Sequence, residues 1–219
     1  MIKWLKNLLF PPKCIFCNDI LDIKSEEFIC SDCPSKIPFL NEEISLKPGD
    51  FYDGILCLFK YKGIVKNAIT RYKFHGKMSY YRVFARLLAE KIKETEILQN
   101  TDMILSVPLH RNKEQKRGYN QAYLIAKELG KLLETEEQSH VLKRIRNTES
   151  QSLLPKYKRK SNVKGAFLVV HPSKIKGKSI LLVDDVMTTG STLNECSRVL
   201  KEAGAEKVFV AVLATGRNV

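Results

Sequence analysis

The stretch from Ser179 to Asn194, Ser-Ile-Leu-Leu-Val-Asp-Asp-Val-Met-Thr-Thr-Gly-Ser-Thr-Leu-Asn, limits the fold of this chain more than any other. Ile180 to Val183 form a leucine and β-branched run that predicts a strand. A Thr/Gly/Ser loop follows, and Leu193, Cys196, Val199 and Leu200 then recur at helical spacing. A strand feeding a tight loop and a helix start makes an anion seat, because the first N–H groups of the helix lack partners and its dipole presents the positive end. Gly190 lets a ligand approach the backbone, and Thr188, Thr189, Ser191 and Thr192 add hydroxyl donors. At the carboxyl end of the strand, Asp184 and Asp185 offer acceptors suited to a ribose diol or, through water, to a divalent ion. Diol and phosphate together describe a sugar phosphate.

Two other readings of this run fail and a third is outweighed. A phospho-receiver domain also opens on apolar residues and paired acids, but it needs roughly a hundred further residues of doubly wound sheet, and the chain stops at Val219. Gly177-Lys178-Ser179 could end a nucleotide P-loop, yet Pro172 stands where its first glycine belongs, and a strand follows instead of a helix. A plain capped helix does not need two acids and four hydroxyls within nine residues.

Cys14-Ile-Phe-Cys17 and Cys30-Ser-Asp-Cys33 form two C-x-x-C knuckles. Four thiolates so spaced surround one Zn²⁺ tetrahedrally, and a segment this short has too little core to stand without a metal or staples. Structural zinc on Cys14, Cys17, Cys30 and Cys33 is the expectation, against two disulfides or a catalytic ion. The first 50 residues carry six Lys/Arg against eight Asp/Glu, so this finger should dock to protein or to the main domain rather than to nucleic acid. Cys57 and Cys196 lie in apolar patterns and belong to a core.

At 219 residues the chain has room for a zinc-finger domain with linker, 1–50, and one α/β domain, 51–219. No apolar run is long enough for a membrane span, and the start lacks a signal-peptide core, so a cytoplasmic protein is expected. The excess positive charge is concentrated: ten Lys/Arg against four Asp/Glu in 51–100, and eleven against one in 141–178. Such blocks suggest a polyanion-binding face.

Along the chain, Met1 to Phe10 suggest a short amphipathic turn, and residues 54–61 a strand. Helical patterns follow over 64–74 and 79–94, where basic and aromatic residues interleave as single-stranded nucleic acid requires, although about half of the rings should be core. The candidate DNA contacts are Lys60, Lys62, Lys73 and Arg82 here, and Arg144, Arg146 and Arg159 in the second block. Met103 to Val107 predict a strand, followed by a cationic loop, Arg111, Lys113, Lys116 and Arg117, placed where a doubly wound fold would hold a pyrophosphate, with Arg111, Lys116 and Arg117 as its candidate contacts. A helix to about Leu133 comes next. Residues 141–168 fit either a two-stranded flap over the site or a disordered basic loop. The chain ends in a helix through Ala203 and a strand from Lys207 to Leu213.

Val183-Asp-Asp-Val-Met-Thr-Thr-Gly-Ser-Thr192 resembles the phosphoribosyl pyrophosphate (PRPP) motif of type I phosphoribosyltransferases. The resemblance implies a parallel sheet flanked by helices, Asp184 and Asp185 on the ribose hydroxyls, residues 188–192 around the 5′-phosphate, and Mg²⁺ accompanying PRPP. Thr188 replaces the acid of purine-salvage members, which argues against 6-oxopurine transfer. With the finger, Arg117-Gly-Tyr-Asn-Gln121 and the run from Arg144 to Phe167 in the same order, the chain resembles the ComF competence family nearly end to end. That resemblance implies a protein of natural transformation that handles incoming single-stranded DNA beside a helicase-like ATPase. Three functions follow as expectations: a DNA-handling protein that binds PRPP, an active transferase with an unknown acceptor, or a zinc-based adaptor with a relic pocket. If transfer occurs, Asp184 and Asp185 hold the ribose, while Mg²⁺, Arg111, Lys116 and Arg117 meet the departing pyrophosphate.

Overall fold

The computed structural model describes residues 11–22, 25, 28–40, 46, 49–95, 97, 101–149, 154–155 and 157–217. The predicted turn over Met1 to Phe10 lies outside them, as does most of the linker.

A five-stranded, wholly parallel sheet runs in the order β1-β7-β6-β2-β3, with β1 Gly54–Lys60, β2 Met103–Ser106, β3 Glu136–Glu137, β6 Ser179–Met187 and β7 Lys207–Thr215. Parallel strands need crossovers, which cover both faces and turn the strands into nearly continuous apolar runs. Along β6, Leu181 and Val183 therefore enter one core while Ile180 and Leu182 enter the other. The first core is covered by α1 (Gly63–Phe74), α2 (Tyr80–Lys93) and α4 (Gln121–Leu132). The second is covered by α7 (Ser191–Glu202) and an antiparallel pair, β4 (Leu142–Arg144) with β5 (Phe167–Val169). Among the described residues, the two strands of the expected flap thus form, while residues 150–153 and 156 of the excursion lie outside them. The flap carries α5 (Lys158–Val163), and the Gly165 N–H donates to Glu195 of α7 at 2.7 Å. A short α6 (Pro172–Ile175) links β5 to β6.

The cationic loop after β2 is a correction. Residues Arg111–Arg117 form a helix, α3, capped by His110 and closed by Gly118 in the left-handed region (φ 82°). No residue of α3 is buried, so its sequence has no apolar stripe to announce a helix.

The finger does dock on the main domain, because its own segment is too small to form a core. Phe16 inserts between Phe59 and Phe84, with ring centroids at 5.9 and 6.3 Å in edge-to-face contact. Cys14, Ile15, Phe16, Cys33 and Ile37 all belong to the first core. From α1, Arg71 Nη2 donates to the Ile15 and Phe16 carbonyls at 2.7 and 2.8 Å, tying the first knuckle to the helix.

Candidate functional site

The sheet has one switch point. β2 leads outward to β3 and β6 leads the other way to β7, so a crevice opens between the carboxyl ends of β2 and β6, where ligands of such sheets bind. The ladder to β2 ends at Val183, so Asp184 and the residues after it pair only with β7. The acids stand where β6 loses a neighbour, and there the chain leaves a cavity of about 240 Å³.

Asp184, Asp185, Thr188, Gly190, Ser191 and Thr192 line one wall of this cavity; Lys113, Arg117 and Arg144 line the other. Gly190 adopts φ +80°, a conformation that L side chains rarely take, and so turns the strand into α7. The Ser191 N–H reaches the Thr189 hydroxyl at 3.4 Å, and the Thr189 and Ser191 hydroxyls meet at 2.9 Å, a loose local arrangement that an anion can replace. Thr189 itself turns away from this cavity toward a second one of about 640 Å³ behind the loop. Arg217, absent from the sequence reading, braces the loop from that side by donating to the Thr189 carbonyl.

The cationic wall differs from the expectation. Lys113 and Arg117, one helical turn apart on α3, line the cavity, whereas Arg111 and Lys116 are exposed and do not. Arg117 lies 5.0 Å from the centre of the Phe74 ring and donates to Gln121 at 3.0 Å, which fixes its direction. Two residues expected on a DNA face are also here. Lys73 forms an ion pair with Asp185 at 2.8 Å, both side chains being largely buried (16% and 12% exposed). Arg144 bonds Thr148 and stacks 5.2 Å from the Phe167 ring centre. Neither position is visible in a linear charge run.

Burial and the neighbouring Asp185 charge push the Asp184 carboxyl up from 3.8 to about 7, against the pull of Lys73 and Arg144. Burial, with Arg144 and Arg117 nearby, presses Lys113 down to about 8. A carboxyl raised in the fold favours folding below its unfolded value and loses that contribution as pH rises through the folded value. The ligand-free protein should therefore lose stability between about pH 4 and pH 7 on account of Asp184. Asp184→Asn should match wild type near pH 4 and exceed it at pH 8 by a few kcal/mol in urea titrations. Equal curves at both pH values would show that the site is not strained in this way.

The remaining candidate DNA residues are spread out. Lys62 and Arg82 are exposed and Lys60 is half-buried. Arg82 lies 5.1 Å from the Tyr81 ring centre. Arg146 donates to the Asn162 carbonyl and Arg159 to that of Leu154, each at 3.0 Å, so both brace the flap. Of the interleaved rings, Tyr72 and Tyr80 are buried, while Phe74 is 63% exposed.

The four cysteines meet in one cluster. Sγ of Cys14 lies 3.6 Å from that of Cys33, as does Cys17 from Cys30, and all four lie within 4.8 Å of one another. Tetrahedral zinc with bonds of about 2.3 Å spaces its sulfurs by roughly 3.8 Å, so the set fits. The Cys30 N–H points at Cys14 Sγ at 3.4 Å. Burial raises the Cys14 thiol, but N–H groups of Cys30, Cys17 and Phe16 more than reverse this and bring it down to about 7, whereas burial pushes Cys17 up to about 11 and raises Cys33 as well. Four sulfurs close the coordination sphere and mark a structural site.

Among the described residues no helix is long and apolar enough to cross a membrane. Residues 77–218 match the phosphoribosyl transferase domain family, and residues 5–50 match the double zinc ribbon domain. Competence protein F of Haemophilus influenzae is 34% identical over 84% of this chain and 83% of its own length. The DNA utilization protein YhgH of Escherichia coli K12 is 35% identical over 65% of this chain and 63% of its own. Among solved structures, a glutamine PRPP amidotransferase from B. subtilis, complexed with ADP and GMP, aligns over 65% of this chain and 30% of its own at 19% identity and TM-score 0.45. A phosphoribosyltransferase-type parallel sheet and an N-terminal four-cysteine ribbon, joined in one chain that resembles competence protein F over more than four fifths of its length, make this protein a member of the ComF competence family.

Proposed function

We propose that this protein binds PRPP with Mg²⁺ in the crevice at the end of β6 and handles single-stranded DNA on the outer face of α1 and α2. One observation carries the ligand reading: paired acids and an anion-receptive loop share a cavity with Lys113, Arg117 and Arg144 on the facing wall. A phosphorylated pentose with a diphosphate has that distribution of groups. Its diol donates to Asp184 and Asp185, its 5′-phosphate receives the loop N–H groups and the hydroxyls of Thr188, Ser191 and Thr192, and its diphosphate faces the α3 cations. Mg²⁺, when bound, neutralises the diphosphate; Asp184 and Asp185 are the nearby carboxylates able to reach it through water. Lys113, which burial presses down to about 8, gives up its charge in mild alkali. The names of the relatives, competence and DNA utilization, support the nucleic-acid half of the proposal. A helicase-like partner belongs to the same reading.

Calorimetry with PRPP and Mg²⁺, with and without single-stranded DNA, tests the pocket. Heat that saturates at one ligand per chain is expected; no heat at any concentration up to millimolar would end the reading. The DNA face is tested separately. Exchanging Lys60, Lys62 and Arg82 together for Gln should weaken single-strand affinity about tenfold or more at moderate salt. It should also flatten the plot of log affinity against log salt by about 2, at roughly 0.7 per phosphate contact. Unchanged slope and affinity would move the DNA elsewhere.

A further inference from the structure

Four consecutive residues at the end of α1 each reach a different part of the molecule. Arg71 grips the carbonyls of the first cysteine knuckle. The Tyr72 hydroxyl donates to the Gln121 carbonyl at 2.9 Å, and the Tyr72 carbonyl accepts from Tyr119, fixing the turn to the start of α4. Lys73 pairs with Asp185 in the cavity. Phe74 lies beneath Arg117 on the cationic wall. Helical geometry sets these side chains about 100° apart around the axis, so the turn cannot shift toward the finger without moving an ammonium away from the acid pair.

We propose that this last turn of α1 positions the sugar-phosphate pocket from the zinc ribbon: Arg71 registers the turn on the knuckle, and Lys73 sets Asp185 and supplies an ammonium to the incoming phosphates. The inference rests on the reading of the pocket given above. Arg71 is a positioning residue, since it stands outside the cavity lining and its described hydrogen bonds go to the knuckle carbonyls. Because Cys14 and Cys17 bracket the two carbonyls that Arg71 holds, zinc on the cluster fixes the acceptors of Arg71. Linkage is reciprocal: if the ribbon tightens the pocket, an occupied pocket must raise the affinity for zinc by the same free energy.

Arg71→Met keeps most of the stem packing and removes the donors; Lys73→Met removes the ammonium. Calorimetry on zinc-loaded protein should show Arg71→Met weakening PRPP about fivefold or more, within the usual range of coupling between sites. Lys73→Met should weaken it at least as much, and the double variant no further than Lys73→Met alone. At equilibrium, saturating PRPP should reduce the share of zinc that a chromophoric chelator takes from wild type and leave it unchanged in Lys73→Met. A readout without ligand accompanies these. Hydrogen exchange in Arg71→Met should rise both at 71–75 and at 184–190, and Lys73→Met should reproduce only the second rise. Exchange in Arg71→Met that rises around 12–37 alone overturns the proposal whether or not PRPP binds. So does unchanged PRPP affinity in Arg71→Met. Coupled exchange in a protein with no PRPP affinity would instead sustain the positioning role and end the ligand reading.

Discussion

Cys14→Ser should destabilise the whole chain, lowering its unfolding midpoint by roughly 6–20 °C, and not merely loosen the finger. The size follows from what zinc holds in place. Losing one of four thiolates opens the site, and zinc binding in small ribbons is the free energy of their folding. Without it, Phe16 has no fixed backbone to present it between Phe59 and Phe84. Removing a buried phenylalanine from a core costs about 3–5 kcal/mol. For a chain of this size each kcal/mol moves the midpoint by about 2–4 °C. Arg71 would also lose the carbonyls that it bonds, leaving a half-buried guanidinium without acceptors. Circular dichroism during heating, with zinc content measured by atomic emission, decides the matter. A zinc-free variant that melts at the wild-type temperature would show that the finger is an appendage whose packing contributes nothing.

The same contacts show what could be read in one dimension. Cysteine spacing and the acid, hydroxyl and glycine order of residues 184–192 are local, so the ribbon cluster and the strand, loop and helix around the candidate pocket were legible. The core strands were legible too, because a parallel sheet buried on both faces leaves apolar runs. Helix α3 was not, since none of its seven residues enters a core and its periodicity carries only charge. Lys73 and Arg144 were assigned to a DNA face because a run of lysines and arginines says nothing about which cation turns inward. That depends on Asp185, more than a hundred positions away, for the first, and for the second on Phe167 of the paired strand together with the nearby Thr148. Arg71 was hidden for the same reason, its partners lying more than fifty positions earlier. Arg217 is a single cation after the last strand, and nothing nearby in sequence links it to Thr189.

Asp184→Asn combined with Asp185→Asn should reduce PRPP affinity about 100-fold or more, and the two single variants should part company in stability while both lose binding. Hydrogen bonds to charged groups contribute about 1.5–3 kcal/mol each, and the diol offers one to each carboxylate. The losses therefore add to two orders of magnitude at the least. In the ligand-free fold the carboxylates are not equivalent. Asp184 carries no ion pair among the described contacts, and burial beside Asp185 pushes its carboxyl up to about 7, so its amide relieves strain. Asp185 is the partner of a largely buried Lys73, and its amide leaves that ammonium unpaired. Breaking such a pair from one side costs about 3–5 kcal/mol. At pH 8, Asp184→Asn should thus be more stable than wild type and Asp185→Asn less so, while calorimetry registers weak PRPP binding in both. Single-strand affinity should persist in all three variants, because Lys60, Lys62 and Arg82 stand outside the cavity lining. Opposite stabilities with a shared loss of binding would mark the acids as a ligand seat built at the expense of the fold; a shared loss of stability with binding intact would mark them as framework.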